Sequence, residues 1–172
     1  VTLAAYGRFV EAKGFDLLLE AIAPLEGVDL WLVGDGKLSE AIGAQVETLG
    51  LADRVWMPGF RTDAESIVAQ ADLFMLPSRH EGFPFTLVEM LHREKLVIAS
   101  KVAGAEEILP DACLVEIGDI AGLRERIVWA MDNIEAMDRL MRPVFELAKQ
   151  NLEIGCCCDR IDLIYRNSLQ MA

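Results

Sequence analysis

The chain has 172 residues, of which 53% are apolar and 26% charged, with 13 glycines and 6 prolines. That composition excludes a disordered, collagen-like or low-complexity chain, each of which carries too little apolar surface to close a core. The 16 basic against 28 acidic residues leave a net charge of −12, which excludes non-specific nucleic-acid binding by phosphate neutralisation and disfavours docking on an anionic membrane.

Apolar runs and helical periodicities alternate along the chain. Residues 3–6 form a short apolar run closed by Gly7, and Phe15, Leu18, Leu19, Ile22 and Leu25 then recur at helical steps. Residues 28–33 (VDLWLV) read as a buried strand stopped by Gly34-Asp35-Gly36, and Leu38, Ile42, Val46 and Leu49 mark the next helix. Residues 55–57 are a short strand broken by Pro58-Gly59; residues 64–70 are a short helix; residues 72–76 (DLFML) are a strand ended by Pro77. A helix begins near Phe85, residues 96–99 (LVIA) are a fifth strand and residues 113–117 a sixth. From Ile120 onward the chain reads as helical, in segments 121–133, 137–150 and 156–168.

Strands alternating with helices imply βαβ units and right-handed crossovers. Near-continuous apolar strands imply a parallel sheet covered by helices on both faces. The expectation is therefore an α/β fold: a doubly wound, parallel, six-stranded sheet over residues 1–135, with C-terminal helices over 136–172 packing on it. A chain of this length buries roughly 70% of its unfolded surface and needs no disulfide or metal staple. Cys113, Cys156, Cys157 and Cys158 offer no C-x-x-C pair. Three adjacent helical cysteines diverge by about 100° each, so reduced thiols in a cytoplasmic setting are expected and a zinc site is not. No apolar run approaches the ~18 residues that a membrane-crossing helix needs.

In doubly wound folds ligands sit outside the carboxyl ends of the strands, near helix N-termini. Three segments fall there. In Gly7-Arg8-Phe9-Val10-Glu11-Ala12-Lys13-Gly14, Arg8 follows a strand and Lys13 opens the next helix. A bidentate guanidinium and a mobile ammonium between glycines suit a diphosphate; two solvated cations near a helix start are the plainer reading. In the segment from Ser78 to Glu89, Gly82 and Pro84 shape a loop ahead of a helix. Amides of Phe85, Thr86 and Leu87 would face an anion there. Glu81 in the loop and Glu89 on the helix could accept hydroxyl hydrogen bonds, as sugars supply. The third segment, residues 103–108, reads as a glycine preceding a short helix. Gly34-Asp35-Gly36-Lys37 lacks both the phosphate-loop and the dinucleotide spacing. His80 sits in the loop and His92 on the polar side of a helix. No D-x-D triplet, Ser-His-Asp order or nucleophile elbow occurs.

Taken in order, GRFVEAKG, LVGDG, VWMPGF and ADLFMLPSRHEGFPFTLVEML resemble the C-terminal nucleotide-sugar-binding domain of retaining glycosyltransferases built from two Rossmann-like domains (GT-B), and more narrowly their family four. The resemblance covers residues 1–135. It implies that Arg8 and Lys13 neutralise the donor diphosphate, with Gly7 beside them. Glu81 would contact the hydroxyls of the transferred sugar and Glu89 those of the ribose. The backbone amides of Phe85, Thr86 and Leu87 would cradle phosphate oxygens, Gly82 and Phe83 would belong to the donor-binding set, and Phe60 and Arg61 would contact the base. It further implies a nucleotide sugar of UDP or GDP type as partner, no cofactor and no metal, and a setting in cell-envelope or polysaccharide synthesis. The acceptor site would belong to an N-terminal Rossmann domain absent from this chain. Through that domain any contact with the inner face of the membrane would run, and an apolar patch is expected where it docks. The sequence departs from the family pattern at Glu94 and Leu96, where Gly and Pro are usual, and at 103–107, where Gly-Gly-x-Pro-Glu is usual. A sugar-nucleotide epimerase, a phosphorylase or a non-catalytic α/β binding module remain as alternatives.

Overall fold

The structure is a computed structural model, in which residues 1–151 are described; the expected helix over 156–168 and the cysteines at 156–158 lie outside them. Six strands form one parallel sheet: β1 (Thr2–Tyr6), β2 (Asp29–Val33), β3 (Val55–Trp56), β4 (Leu73–Leu76), β5 (Leu96–Ser100) and β6 (Leu114–Val115). Their spatial order is β3-β2-β1-β4-β5-β6, the order of a doubly wound Rossmann-like sheet. Every residue of β4 and β5 is buried, as strands covered on both faces must be.

The helices are α1 (Phe15–Ile22), α2 (Ser39–Thr48), α3 (Ala64–Val68), α4 (Phe85–His92), α5 (Ile120–Asp132) and α6 (Ile134–Asn151). Helices α2 and α5 pack on α1, while α3 and α6 pack on α4. The stripe that buries each follows from sequence spacing: Phe15, Leu18, Leu19 and Ile22 on α1, and Met137, Met141, Val144, Phe145 and Ala148 on α6, are all within the core. The free thiol of Cys113 joins that core beside Met141, and burial pushes its pKa up to about 11.

Two expectations need correction. Residues 103–108 form turns, in which the amides of Ala105 and Glu106 both bond to the Val102 carbonyl. Gly104 at φ +81 lies outside the helical region and stops a helix from starting. Strand β6 is also shorter than the apolar run suggests, because Asp111–Cys113 is a 3-10 turn and Glu116 turns to solvent.

Where the family pattern expects glycine, Glu94 adopts φ 52, alone among the described non-glycine residues. The left-handed backbone is thus kept although the side chain disfavours it. The carboxylate is used instead to bond Lys149 (2.5 Å) and Arg142 (3.4 Å), tying the α4–β5 turn to α6.

Candidate functional site

The strand order reverses between β1 and β4, so a crevice opens outside their carboxyl ends. Close backbone approaches build it. A Cβ on Gly34 would lie 1.9 Å from the Gly7 carbonyl, and one on Gly36 2.5 Å from the Phe9 carbonyl. The segment without a phosphate signature is therefore a glycine seam, along which the loop after β2 runs against the loop after β1. On the other side, a Cβ on Gly14 would lie 2.1 Å from the Pro77 carbonyl. Arg79 completes the fastening: its amide bonds the Ala12 carbonyl (2.8 Å), and its guanidinium forks onto Asp16 (2.5 and 2.6 Å) and reaches the Glu11 carbonyl (3.0 Å). The hydrogen bonds from Arg79 hold the Asp16 carboxyl below the usual carboxylate range.

This fastening brings Lys13 to Glu81. The ammonium bonds both carboxylate oxygens, at 2.8 and 3.0 Å. Glu81 is only 7% exposed and also accepts from the buried Ser78 hydroxyl at 2.6 Å. A carboxylate so withdrawn from water needs those partners. The Lys13 stem runs past Gly7, 3.7 Å from where a Cβ would stand. His80 is exposed on the same loop.

Beside the pair lies a cleft of about 620 Å³, lined among others by Tyr6, Gly7, Arg8, Phe60, Arg61 and Glu89. Arg8 is exposed and forms no ion pair or side-chain hydrogen bond among the described residues. Arg61 is held by a bidentate pair to Asp63, both bonds 2.9 Å. Phe60 is 74% exposed. Glu89 accepts a hydrogen bond from the Tyr6 hydroxyl.

At the mouth of α4, Gly82 has open space around it. Phe83 and Phe85 are exposed and meet edge-on at 5.0 Å. The Phe85 and Leu87 amides donate to the Phe83 and Pro84 carbonyls (3.0 and 2.9 Å), so the local turn occupies two of the three amides expected to face an anion. Leu87 itself is fully buried in the core. Thr86 Oγ1 is the one buried side-chain polar atom without a partner among the described residues. Gly104 lies against this mouth: a Cβ there would meet the Pro84 ring at 2.7 Å. His92, expected on a polar face, is half-buried with Nε2 3.1 Å from the Ala148 carbonyl.

Sequence reasoning missed Tyr6, Ser78 and the Arg79–Asp16 fork. Tyr6 read as one more apolar strand residue; its hydroxyl, placed at the last strand position before Gly7, was the available signal. A second hollow of about 620 Å³ runs along the β6 edge. There Lys101 pairs with Glu116, Asp119 accepts from the Gly122 amide and Arg126 lies over the Trp129 ring. This hollow is at the sheet edge, away from the point where the strand order reverses, so the crevice is the better candidate. No group of three or more His, Cys, Asp or Glu side chains suited to a metal occurs among the described residues. No described helix is long and apolar enough to cross a membrane.

Residues 1–133 match the family described as glycosyl transferases group 1. The chain belongs to this family. It is 36% identical over 137 residues to the lipopolysaccharide core biosynthesis glycosyltransferase LpsD of Rhizobium meliloti, covering 78% of this chain and 40% of LpsD. To LpsE of the same organism, described in the same words, it is 35% identical over 124 residues, 70% of this chain and 36% of LpsE. The chain thus spans well under half the length of these curated relatives. Among solved structures, Anabaena HepE in complex with UDP and glucose superposes with a TM-score of 0.89 at 24% identity, over 96% of this chain and 48% of HepE. The C-terminal domain of a glycosyl transferase group 1 protein (LpcC) from Francisella tularensis gives 0.77 at 19% identity, over 89% of this chain and 86% of that domain. These likenesses establish a shared fold, here confined to about half of HepE.

Proposed function

We propose that this family member is the donor-binding half of a two-domain, retaining glycosyltransferase. It takes a nucleoside-diphosphate sugar of UDP or GDP type, without a metal, in cytoplasmic synthesis of cell-envelope glycan or polysaccharide. The observation that carries the reading is Arg8: an exposed guanidinium without a partner among the described residues, in a cleft next to the Lys13–Glu81 pair. A cation with no structural use, at the place where the fold class binds its ligands, is suited to an anionic one.

In this reading the bond between the sugar's anomeric carbon and the β-phosphate oxygen breaks as the acceptor hydroxyl oxygen bonds the same carbon, and the hydroxyl proton passes to the departing phosphate oxygen. Negative charge collects on the departing diphosphate. Arg8 and Lys13, both carried by the loop that follows β1, meet that charge with charge-assisted hydrogen bonds. Lys13 carries three donor protons, so it can turn from Glu81 toward a phosphate without leaving the loop. Glu81 then offers its oxygens to hydroxyls of the transferred sugar. Glu89 holds the ribose, Phe60 and Arg61 meet the base, and the Gly82 loop with the Thr86 amide, which the local turn does not occupy, receives phosphate oxygen at the α4 mouth. Phe83 and Phe85 border that mouth. The acceptor is bound by a second domain. The names of the Rhizobium relatives support the setting, and the UDP and glucose of the HepE complex support the donor class.

Isothermal titration calorimetry with UDP, GDP and their glucose and mannose conjugates, with and without EDTA, tests the proposal. Binding of one nucleoside diphosphate, unaltered by EDTA, is expected. Absence of heat with every nucleotide would overturn it.

A further inference from the structure

We propose that Tyr6 is a positioning residue that aims the Glu89 carboxylate and thereby sets the preference of the cleft for ribose over 2′-deoxyribose. The inference rests on the reading of Glu89 as the ribose-holding group and goes beyond it in assigning how that group is held.

Tyr6 is the last residue of β1, paired in register with Val33 of β2, so its backbone is fixed by the sheet on the β2 side of the crevice floor. Its ring leans on Phe74 of β4, centroids 5.7 Å apart. From this anchored ring the hydroxyl donates to Glu89 Oε2. Glu89 sits on α4, more than eighty residues away in sequence, and both groups line the same cleft. Among the described residues Glu89 Oε1 has no partner, which leaves that oxygen for a ligand hydroxyl.

The surroundings explain why an aiming group is needed. Glu65 also lines the cleft and is occupied by Arg93 at 2.6 Å. Glu89 forms no ion pair among the described residues, because Arg93, four residues on and close enough to feel its charge, is spent on Glu65, and a glutamate has three side-chain torsions to lose. Left alone, its carboxylate would spread over several rotamers away from Glu65, and each ligand hydroxyl would have to select one. The phenol removes that freedom in advance. Burial first, and the Glu89 hydrogen bond second, hold the Tyr6 phenol protonated far above its ordinary range, so it stays a donor. A phenylalanine would keep the packing on Phe74 and lose only the aim.

The experiment measures affinities of UDP, GDP and their 2′-deoxy counterparts by calorimetry for the wild-type chain, Tyr6→Phe, Glu89→Ala and the double variant, with melting temperatures alongside. Wild type is expected to prefer the ribonucleotide. Tyr6→Phe is expected to shrink that preference about three- to tenfold, the loss of one hydrogen bond's worth of selection, while the 2′-deoxynucleotide binds as before. In the Glu89→Ala background, Tyr6→Phe should leave the ratio where it stands. An unchanged ratio in Tyr6→Phe, an equal loss for both sugars, or an effect that persists without Glu89 each overturns the proposal, because a merely structural tyrosine would behave so. Wild type that binds but shows no ribose preference overturns this inference alone. Wild type that binds no nucleotide overturns the proposed function and this inference with it.

Discussion

The Lys13–Glu81 side of the crevice is tied together before any ligand arrives, whereas the Arg8–Phe60 side is open. On the first side the carboxylate is buried, both its oxygens are bonded to Lys13, Ser78 adds a third bond, and the Arg79–Asp16 fork straps the two loops to each other. On the second side Arg8 is exposed without a partner among the described residues, and Phe60 projects into solvent. The difference separates two uses of charge. A withdrawn carboxylate depends on its cation, while an exposed, unpaired cation contributes almost nothing to stability and is free to meet a ligand.

The two loops differ most in how closely their backbones are approached. Gly14→Ala puts a Cβ against the Pro77 carbonyl at φ +63, and unfolding by denaturant should show a loss on the order of 2–5 kcal/mol. Gly82→Ala, with open space around it, should stay within about 0.5 kcal/mol of the parent. Equal effects would mean that the two loops are not held by that contact.

Next in size is Lys13→Met, which strands Glu81. Chemical denaturation should register a loss of about 1–3 kcal/mol, and adding Glu81→Gln should recover part of it. Arg8→Ala should do the reverse: stability within about 0.5 kcal/mol of the parent, and nucleoside-diphosphate affinity lower by about 1.5–3 kcal/mol. If Arg8→Ala unfolds the chain and Lys13→Met does not, the two sides have been assigned the wrong way round.

The smallest effect is in acid. Hydrogen bonds from Arg79 depress the Asp16 carboxyl in the folded chain. A depressed acid contributes stability that is fully present above its unfolded value, and loses it as pH falls through the folded one. Wild type should therefore lose stability more steeply than Asp16→Asn below about pH 4. The Asp16 side chain is 35% exposed and that of Arg79 30%, so the difference should not exceed about 1 kcal/mol. Acid titrations followed by circular dichroism would check it; parallel curves would show that the fork contributes nothing.

Much of the architecture was legible because a parallel sheet covered on both faces writes its strands as apolar runs. Residues 72–76 run up to Pro77, and residues 96–99 extend by one residue, to Ser100. The short edge strands β3 and β6 were less legible, since two paired residues leave little pattern. Candidate site positions were readable from their place at strand ends. The pairing within the site was not. Lys13 with Glu81, Arg79 with Asp16 and Tyr6 with Glu89 are each more than sixty residues apart in sequence, and only the strand order makes them neighbours. The amides of Phe85 and Leu87 were misjudged for a local reason: Phe83 and Pro84 present carbonyls that close the turn on them first.

The central claim is that Arg8 and Lys13 together grip a diphosphate. A crystal structure of the chain grown with UDP or GDP, whichever calorimetry selects, tests it most directly. Phosphate oxygens are expected within hydrogen-bond distance of both side chains, with the Lys13 ammonium turned at least partly from Glu81. A nucleotide bound elsewhere, with the Lys13–Glu81 pair intact and Arg8 still facing solvent, would contradict it.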